Sequence, residues 1–394
     1  MNSSEENQAN FEPLRSLSPQ SPTPDFSGPI FLMINSLETG GTERQFVELA
    51  QSLRRGGLDI QLGCIQKKGS FLDGHTMDGL GELHQFRLGG SLYGLQSLRS
   101  RWRLMRHLRE TKIAVAHAFD FYTNLVLIPA AKLAGVPVVG SHRQLGDLLT
   151  PSQFRVQLEM FRWCDKVVCN SRAAADRLAQ AGLPPQKFVV ISNGLPPSAF
   201  ADTRPAIPRM PGLLRVGMIA RMNQRAKNHL PFLRAAASVC TTLSGVEFVM
   251  VGDGPLRHEL EQQVKDLGLV DHVRFLGDRR DIPSVLASLD VTVLPSASES
   301  LSNSIMESMA AGVPVIANRV GGNPELITED RGLLVTADDE QALSAAIERV
   351  LRDQDLRARL GLNARSYAQA NFMIDQVRKR YEELYGALMK RKCA

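Results

Sequence analysis

Glu299 and Glu307 stand eight residues apart in "ESLSNSIME", one carboxylate at each end of a polar stretch between the apolar run "VTVLP" and the small-residue segment "SMAAGVP". A second pair at the same spacing, Glu340 and Glu348, lies in a long helical pattern, so spacing alone does not separate chemistry from a charged face. Context does. Glu299 falls just past an apolar strand, and Glu307 lies about two turns into a helix that starts near Ser302. Ser300, Leu301, Ser302 and Asn303 then form a helix N-terminus whose free N–H groups hold an anion such as phosphate. Carboxylates flanking that anion are placed for the hydroxyl groups of whatever carries it. Glu340 and Glu348 have no strand end nearby and read as a solvent-facing pair.

Other strand ends carry the cations and glycines such a site needs. "IARMNQRAKNH" offers Arg221 as a fork and Lys227 as a point charge for one anion; the alternative is a solvated basic loop. Gly40 and Gly41 in "NSLETGGTERQ" let backbone approach a ligand, ahead of a helix beginning near Thr42. In "VGDGPLRHEL" Gly252 and Gly254 lack the third glycine of a dinucleotide fingerprint and read as a close-approach turn, with Pro255 as first helical residue. "VVGSHRQ" puts His142 where a cleft-facing side chain is expected, whereas His117, inside the apolar "VAHAF", reads first as a core histidine. The literal D-x-D at Asp353 and Asp355 lies between two C-terminal helices, a poor place for a metal.

These positions need a parallel sheet to bring them together. From residue 30 short apolar runs alternate with amphipathic stretches, the mark of βαβ units, and predict strands at 30–36, 59–65, 83–88, 113–118, 137–141, 166–170 and 188–192. Five prolines between 196 and 211 disfavour helix and strand alike. The alternation restarts at 214–220, 246–252, 273–277, 291–295, 314–318 and 332–335, and 339–390 is helical throughout. The reading is α/β: two Rossmann-like domains, at 29–195 and 213–370, a Pro-rich linker at 196–212, and a C-terminal helix, 371–394, packing back on the first domain. The cleft between them, at the carboxyl ends of the strands, is the expected ligand site.

At 394 residues, 43% hydrophobic and 22% charged, the chain has an ordinary soluble balance. A globular cytoplasmic protein is expected. Residues 1–28 are Ser/Pro-rich and polar, and are expected to be disordered. Five cysteines without C-x-x-C spacing point to neither a disulfide framework nor a zinc ribbon. No apolar run reaches the roughly 18 residues of a membrane span, and no nucleic-acid-binding signature is present. A net charge of +5 is modest.

Taken in order, "ETGGTERQFVELAQSL", "AGVPVVGSHR", "CDKVVCNSRAAADRLAQAG", "VVISNG", "VGDGPLRHEL" and "ESLSNSIMESMAAGVPVIANRVGGNPELI" make the chain similar to the retaining glycosyltransferases of the two-Rossmann (GT-B) type, in the group-1 family of bacterial polysaccharide and lipid glycosyltransferases. The resemblance covers residues 30 to 390. It implies transfer of a hexose-type sugar from a nucleoside-diphosphate sugar to a glycan or lipid-linked acceptor, with no metal or other cofactor. By the family pattern Glu299 approaches the donor sugar, Glu307 the ribose, Arg221 and Lys227 the diphosphate, His142 the reacting carbon, and Gly41 the phosphates. Pro196 departs from the pattern, standing where aspartate is common. A GT-B-fold epimerase or phosphorylase, and a non-catalytic two-domain sugar-binding protein, are the other readings open at this point.

Residues 95–112, "LQSLRSRWRLMRHLRETK", read as an amphipathic helix of the first domain. Leu95, Leu98, Trp102 and Met105 share one face; Arg99, Arg103 and Arg106 recur at helical spacing on another. One reading is a core-facing stripe with a solvated basic back. The other is a docking surface for an anionic membrane, which makes the protein peripheral at the membrane's inner face.

Overall fold

The computed structural model describes residues 28–72, 77–89 and 94–393, with the side chains of 391–393 left aside. Except for Gly28, the segment expected to be disordered lies outside the described residues.

The first parallel sheet is built from β1 (Ile30–Ile34), α1 (Gly41–Arg55), β2 (Ile60–Cys64), β3 (Leu83–Gln85), α2 (Leu95–Glu110), β4 (Val115–Ala118), α3 (Phe121–Ala134), β5 (Val138–His142), α4 (Pro151–Trp163), β6 (Lys166–Cys169), α5 (Arg172–Gln180) and β7 (Phe188–Val190). Its strand order is β3-β2-β1-β4-β5-β6-β7. The second comprises β8 (Leu214–Ile219), α6 (His229–Thr242), β9 (Val246–Val251), α7 (Arg257–Asp266), β10 (Val273–Gly277), α8 (Ile282–Leu286), β11 (Val291–Leu294), α9 (Asn303–Ala310), β12 (Val315–Asn318), α10 (Asn323–Leu326) and β13 (Gly332–Val335). Its order is β10-β9-β8-β11-β12-β13. Then follow α11 (Glu340–Arg352), α12 (Gln354–Asn371) and α13 (Ile374–Cys393). Each expected strand forms, mostly shortened where polar residues begin: β1 stops at Ile34, before Asn35 and Ser36.

Order reverses between β1 and β4 in one sheet and between β8 and β11 in the other. Strands diverge there, opening a crevice at their carboxyl ends. Every residue of β1, β4, β5 and β11 is buried, so the switch points are rigid. Side chains that follow these strands have fixed supports.

Helix α13 packs on the first sheet, as expected. Val377, Tyr381, Leu384, Tyr385 and Leu388 join the core formed by α1 and β1. His117, fully buried on β4, bonds through Nδ1 to Tyr385 Oη and through Nε2 to Ser141 Oγ, both at 2.7 Å. Both ring nitrogens are satisfied, so His117 is a core residue. The chain crosses between sheets twice, side by side: Leu195 N–H donates to Phe372 O at 2.7 Å, and Ile374 N–H to Leu195 O at 2.9 Å. Gln45 grips Gly194 through both backbone groups, at 2.9 and 2.8 Å. Beyond Pro196 the proline-rich stretch is no free tether, since Ala206 and Ile207 N–H bond to Ser284 O and Ser288 Oγ.

Helix α2 corrects an expectation. Its buried stripe is Ser97, Ser100, Leu104 and Leu108, while Leu95, Leu98 and Trp102 are 75%, 52% and 56% exposed. The small serines allow a close approach to the segment after β3: Ser100 Oγ donates to Arg87 O, and Gly89 N–H to Ser97 Oγ at 3.3 Å. Leu95, Leu98 and Trp102 are left on the outer face.

Candidate active site

Helix α1 begins at Gly41, one residue before the expected start, with extended Gly40 as its N-cap and no side chain capping it. Helix α9 begins at Asn303, capped by Ser302 Oγ, which accepts from Ile305 N–H at 3.4 Å. Glu307 is therefore little more than one turn into its helix, not two. The two helix ends meet across the cleft. Asn303 Nδ2 donates to Gly41 O at 3.4 Å, and a Cβ on Gly41 would stand 2.9 Å from that nitrogen. A hydrogen-bond chain backs this contact, with Arg143 donating to Asn193 Oδ1 and Asn193 Nδ2 to Asn303 Oδ1, each at 2.6 Å.

Two helix N-termini face to face put partial positive charge on one point. Cations come from both domains. Arg221 reaches across from the loop after β8 to donate to Thr39 O, just before α1. Lys227 ends the 3-10 turn Arg225–Lys227 and lies 2.6 Å from Glu299 Oε1. Asn228, in the left-handed region at φ 56°, fixes that turn by donating to Pro295 O at 2.9 Å. Arg44 of α1 donates to Glu307. Burial raises the Glu307 carboxyl above its ordinary range, and Arg44 pulls it back.

The glycines turn out to shape protein against protein. A Cβ on Gly252 would stand 2.3 Å from Ala220 O, and one on Gly254 2.5 Å from Met222 O. Both hold the loop that carries Arg221, and α7 starts at Arg257, two residues past Pro255. Gly321 and Gly322 do the same for the first carboxylate: added Cβ atoms would lie 1.8 Å from Glu299 O and from Ser300 O, and Gly322 N–H donates to Glu299 O at 3.0 Å. Sequence reasoning gave these two no role, although adjacent glycines after a strand are the signal it used at Gly40 and Gly41.

The remaining expected residues divide. Ser300 Oγ donates to Asn170 Oδ1 at 2.6 Å and lies 3.2 Å from Ser171 Oγ, so it joins the strand ends of the two sheets. Leu301 packs in an apolar cluster with Leu195 and Ile305, which leaves only its backbone for a ligand. Glu325 accepts from the N–H groups of Arg172 and Ala173 at 2.9 Å each, capping α5 from the opposite domain. Asp353 caps α12 through Leu356 N–H. Glu340 and Glu348 pair with surface Arg234 and Arg352.

His142 ends β5 at the cleft, yet its ring is fully buried beside Phe161 and Phe154, at 5.8 and 6.4 Å. Gln157 Nε2 donates to Nδ1 at 3.2 Å, which puts the ring proton on Nε2, a buried atom with no partner among the described residues. Burial, with Arg177 adding to it, pushes the imidazole down to about 3. An unfolded histidine titrates near 6.5, so as pH falls the unfolded chain takes the proton first. The associated stability is complete above about pH 6.5 and drains away towards pH 3, costing about 2 kcal/mol by pH 5. Raised carboxyls such as Glu307 act oppositely in the same window, so the test is a difference. His142→Gln should flatten the acid limb of Tm against pH relative to wild type; parallel limbs would show that His142 does not carry it.

Two facing parallel-sheet domains, with cations and helix N-termini at strand ends across one cleft, define the GT-B architecture. The crystal structure of Anabaena HepE in complex with UDP and glucose has this fold: TM-score 0.77 at 24% identity, over 90% of this chain and 98% of that one. The family "Glycosyltransferase Family 4" matches residues 39–199 and "Glycosyl transferases group 1" matches 214–353. The lipopolysaccharide core biosynthesis glycosyltransferase LpsE of Rhizobium meliloti (strain 1021) is 31% identical over 243 residues, 61% of this chain and 68% of the relative. The chain belongs to the group-1 glycosyltransferase family. An Escherichia coli UDP-Gal:alpha-D-GlcNAc-diphosphoundecaprenol alpha-1,3-galactosyltransferase is 27% identical over 367 residues, 88% of this chain and 93% of the relative.

Proposed function

We propose that the protein moves a hexose-type sugar, with retention and without a metal, from a nucleoside-diphosphate sugar to a hydroxyl of a glycan or lipid-linked acceptor. The observation that carries this reading is the contact between the N-termini of α1 and α9, with Arg221 bonded beside α1 at Thr39 and the Lys227–Glu299 pair held in the loops that follow the neighbouring strands β8 and β11. A diphosphate gains charge as its bond to the sugar breaks and the sugar becomes oxocarbenium-like, so fixed positive charge there lowers the barrier. The E. coli relative's name gives it a UDP-sugar donor and a lipid-linked acceptor, and the HepE structure holds UDP and glucose. These support the same substrate classes here.

In this reading residues 213–370 hold the donor, and residues 29–195 with 371–394 hold the acceptor. Glu307 takes the ribose hydroxyls and Glu299 those of the donor sugar. The bond from C1 to phosphate oxygen breaks, the acceptor oxygen bonds C1 on the same face, and its proton passes to the departing phosphate oxygen. No protein nucleophile is assigned. The Nε2–H of His142 is oriented by Gln157 towards whatever satisfies it, and a substrate hydroxyl fits that need. Contacts across the cleft, from Arg44 to Glu307 and from Arg221 to Thr39, describe a closed state that excludes water.

A thermal-shift screen of UDP-, GDP- and ADP-sugars tests donor binding. At about 100-fold excess over Kd the correct donor should stabilise the fold by about 2.7 kcal/mol. The anomeric configuration of the product, read by NMR, should match that of the donor, and turnover should survive EDTA. Stabilisation by none of the nucleotide sugars, or product of inverted configuration, would overturn the reading.

A further inference from the structure

The contacts that close the cleft leave an opening over β4. On the β1 side, Arg221 donates to Thr39 O and Asn303 Nδ2 to Gly41 O; on the β5 side, Ser298, the residue before Glu299, donates to Asp147. Strand β4 lies between β1 and β5. Yet among the described residues no hydrogen bond or ion pair crosses to the second domain from residues 119–123, which follow β4. This gap is level with the proposed reaction centre. The register pairs Met33 with Ala118 and His117 with Val139, and carried two or three residues on it sets Asp120 beside Asn35 and beside His142, each about 4.8 Å away across neighbouring strands. Asn35 N–H donates to Asp120 Oδ2 at 2.6 Å.

Tyr122 stands just beyond, 46% exposed, in the first turn of α3. Side chains on a helix tilt towards its N-terminus, so the ring rises over the carboxyl ends of the strands. Its support is rigid. Asp120 caps α3 by accepting from Thr123 N–H, and Thr123 Oγ1 accepts from Asp120 N–H, both at 3.0 Å. The Phe121 ring meets that of Tyr122 edge to face at 5.3 Å. A lone exposed aromatic on a surface needs no explanation; one held firmly at the gap in a closed cleft is placed for a ligand.

We infer that the acceptor enters over β4 and that its terminal sugar ring stacks on Tyr122. A pyranose presents a face of C–H bonds, apolar and slightly positive, with hydroxyls around its edge. The face of an aromatic ring is apolar and negative, so the two match, and stacking leaves the edge hydroxyls free to reach the donor carbon beside His142. A bare lipid phosphate would need cations at this point, and residues 119–123, "FDFYT", hold none. The accepting group is therefore a sugar hydroxyl, on a free or lipid-linked glycan. The inference rests on the proposed function and deepens it by naming the residue that reads the acceptor.

The test is saturation-transfer NMR with the methyl glycosides of glucose, galactose, N-acetylglucosamine and N-acetylgalactosamine. It reads sugar binding rather than transfer, so it stands even if the donor screen fails. At least one of these glycosides should bind wild-type protein, with saturation strongest at the C–H protons of one ring face. Tyr122→Ala should weaken that binding at least about fivefold, the usual cost of truncating an anchoring aromatic. Tyr122→Phe and Tyr122→Trp, which keep a ring, should bind as wild type does. Tm and UDP affinity should be the same in wild type and Tyr122→Ala, because the side chain is half exposed and belongs to the first domain. Binding of none of the glycosides, or equal binding by wild type and Tyr122→Ala, overturns the proposal. So does Tyr122→Leu binding as tightly as Tyr122→Phe, since apolar bulk would then suffice without a ring, or UDP affinity that falls in step with sugar binding.

Discussion

Alanine in place of Lys227 is expected to lower turnover by about 10²–10³-fold, the usual cost of removing one group aimed at developing charge, with donor affinity changed only severalfold. The asymmetry follows from what Lys227 touches before substrate arrives. Its ammonium is already matched by Glu299 at 2.6 Å, so ground-state donor binding gains little from it. In the transition state the leaving diphosphate becomes more negative, and only then does the lysine supply stabilisation that Glu299 does not. Arg221→Ala should act in the same direction. It has a second effect, because its bond to Thr39 O is one of the contacts that hold the cleft shut. The check is kcat and KM together with the nucleotide Kd by calorimetry. A rise in KM at constant kcat would assign either residue to ground-state binding. Removing Lys227 leaves the buried Glu299 carboxylate without this partner, so Tm should fall and is measured alongside kcat, with rates taken at a temperature where the variant stays folded.

The strands could be read from sequence because parallel sheets are buried on both faces, so each strand is an apolar run rather than an alternation. Strand-end logic then pointed to Arg221, Lys227 and Glu299, which follow the ends of β8 at Ile219 and β11 at Leu294 by two, eight and five residues. It could not find Arg44, Asn170 or Asn193. Their partners Glu307, Ser300 and Asn303 sit more than 100 residues away on the other sheet, and no local pattern encodes a contact between domains. Two further features have local causes. At the end of β5 sequence position predicts proximity to the cleft but not the depth of the side chain, and the His142 ring is buried against Phe154, Gln157 and Phe161 of α4 with only its Nε2 left for a ligand. On α2 one of the two readings made Leu95, Leu98, Trp102 and Met105 the core stripe. The buried residues are instead Ser97, Ser100, Leu104 and Leu108, because in the first turns the size and hydrogen bonding of the serines suit a close backbone approach better than leucine or tryptophan.

Glu307→Ala is expected to weaken binding of the free nucleotide about 10- to 150-fold, the roughly 1.5–3 kcal/mol of hydrogen bonds to a charged group. Glu348→Ala, at the far end of the other eight-residue pair, should change nothing, since among the described residues its carboxylate pairs with Arg352 on its own helix, away from the cleft. Glu307 already has a protein partner. Arg44 donates to it from the opposite domain, and burial disfavours its charge, so a ribose must compete with, or share, an existing partner. Glu307→Gln separates the contributions: the amide keeps an acceptor for one hydroxyl but loses the charge, and should recover part of the affinity. If calorimetry finds equal nucleotide affinity for wild type and Glu307→Ala, the ribose assignment fails and the carboxylate serves only to tie the domains together. That outcome makes its own demand. Arg44→Ala and Glu307→Ala would then lower Tm alike and, combined, would lower it no further, because each removes the same ion pair.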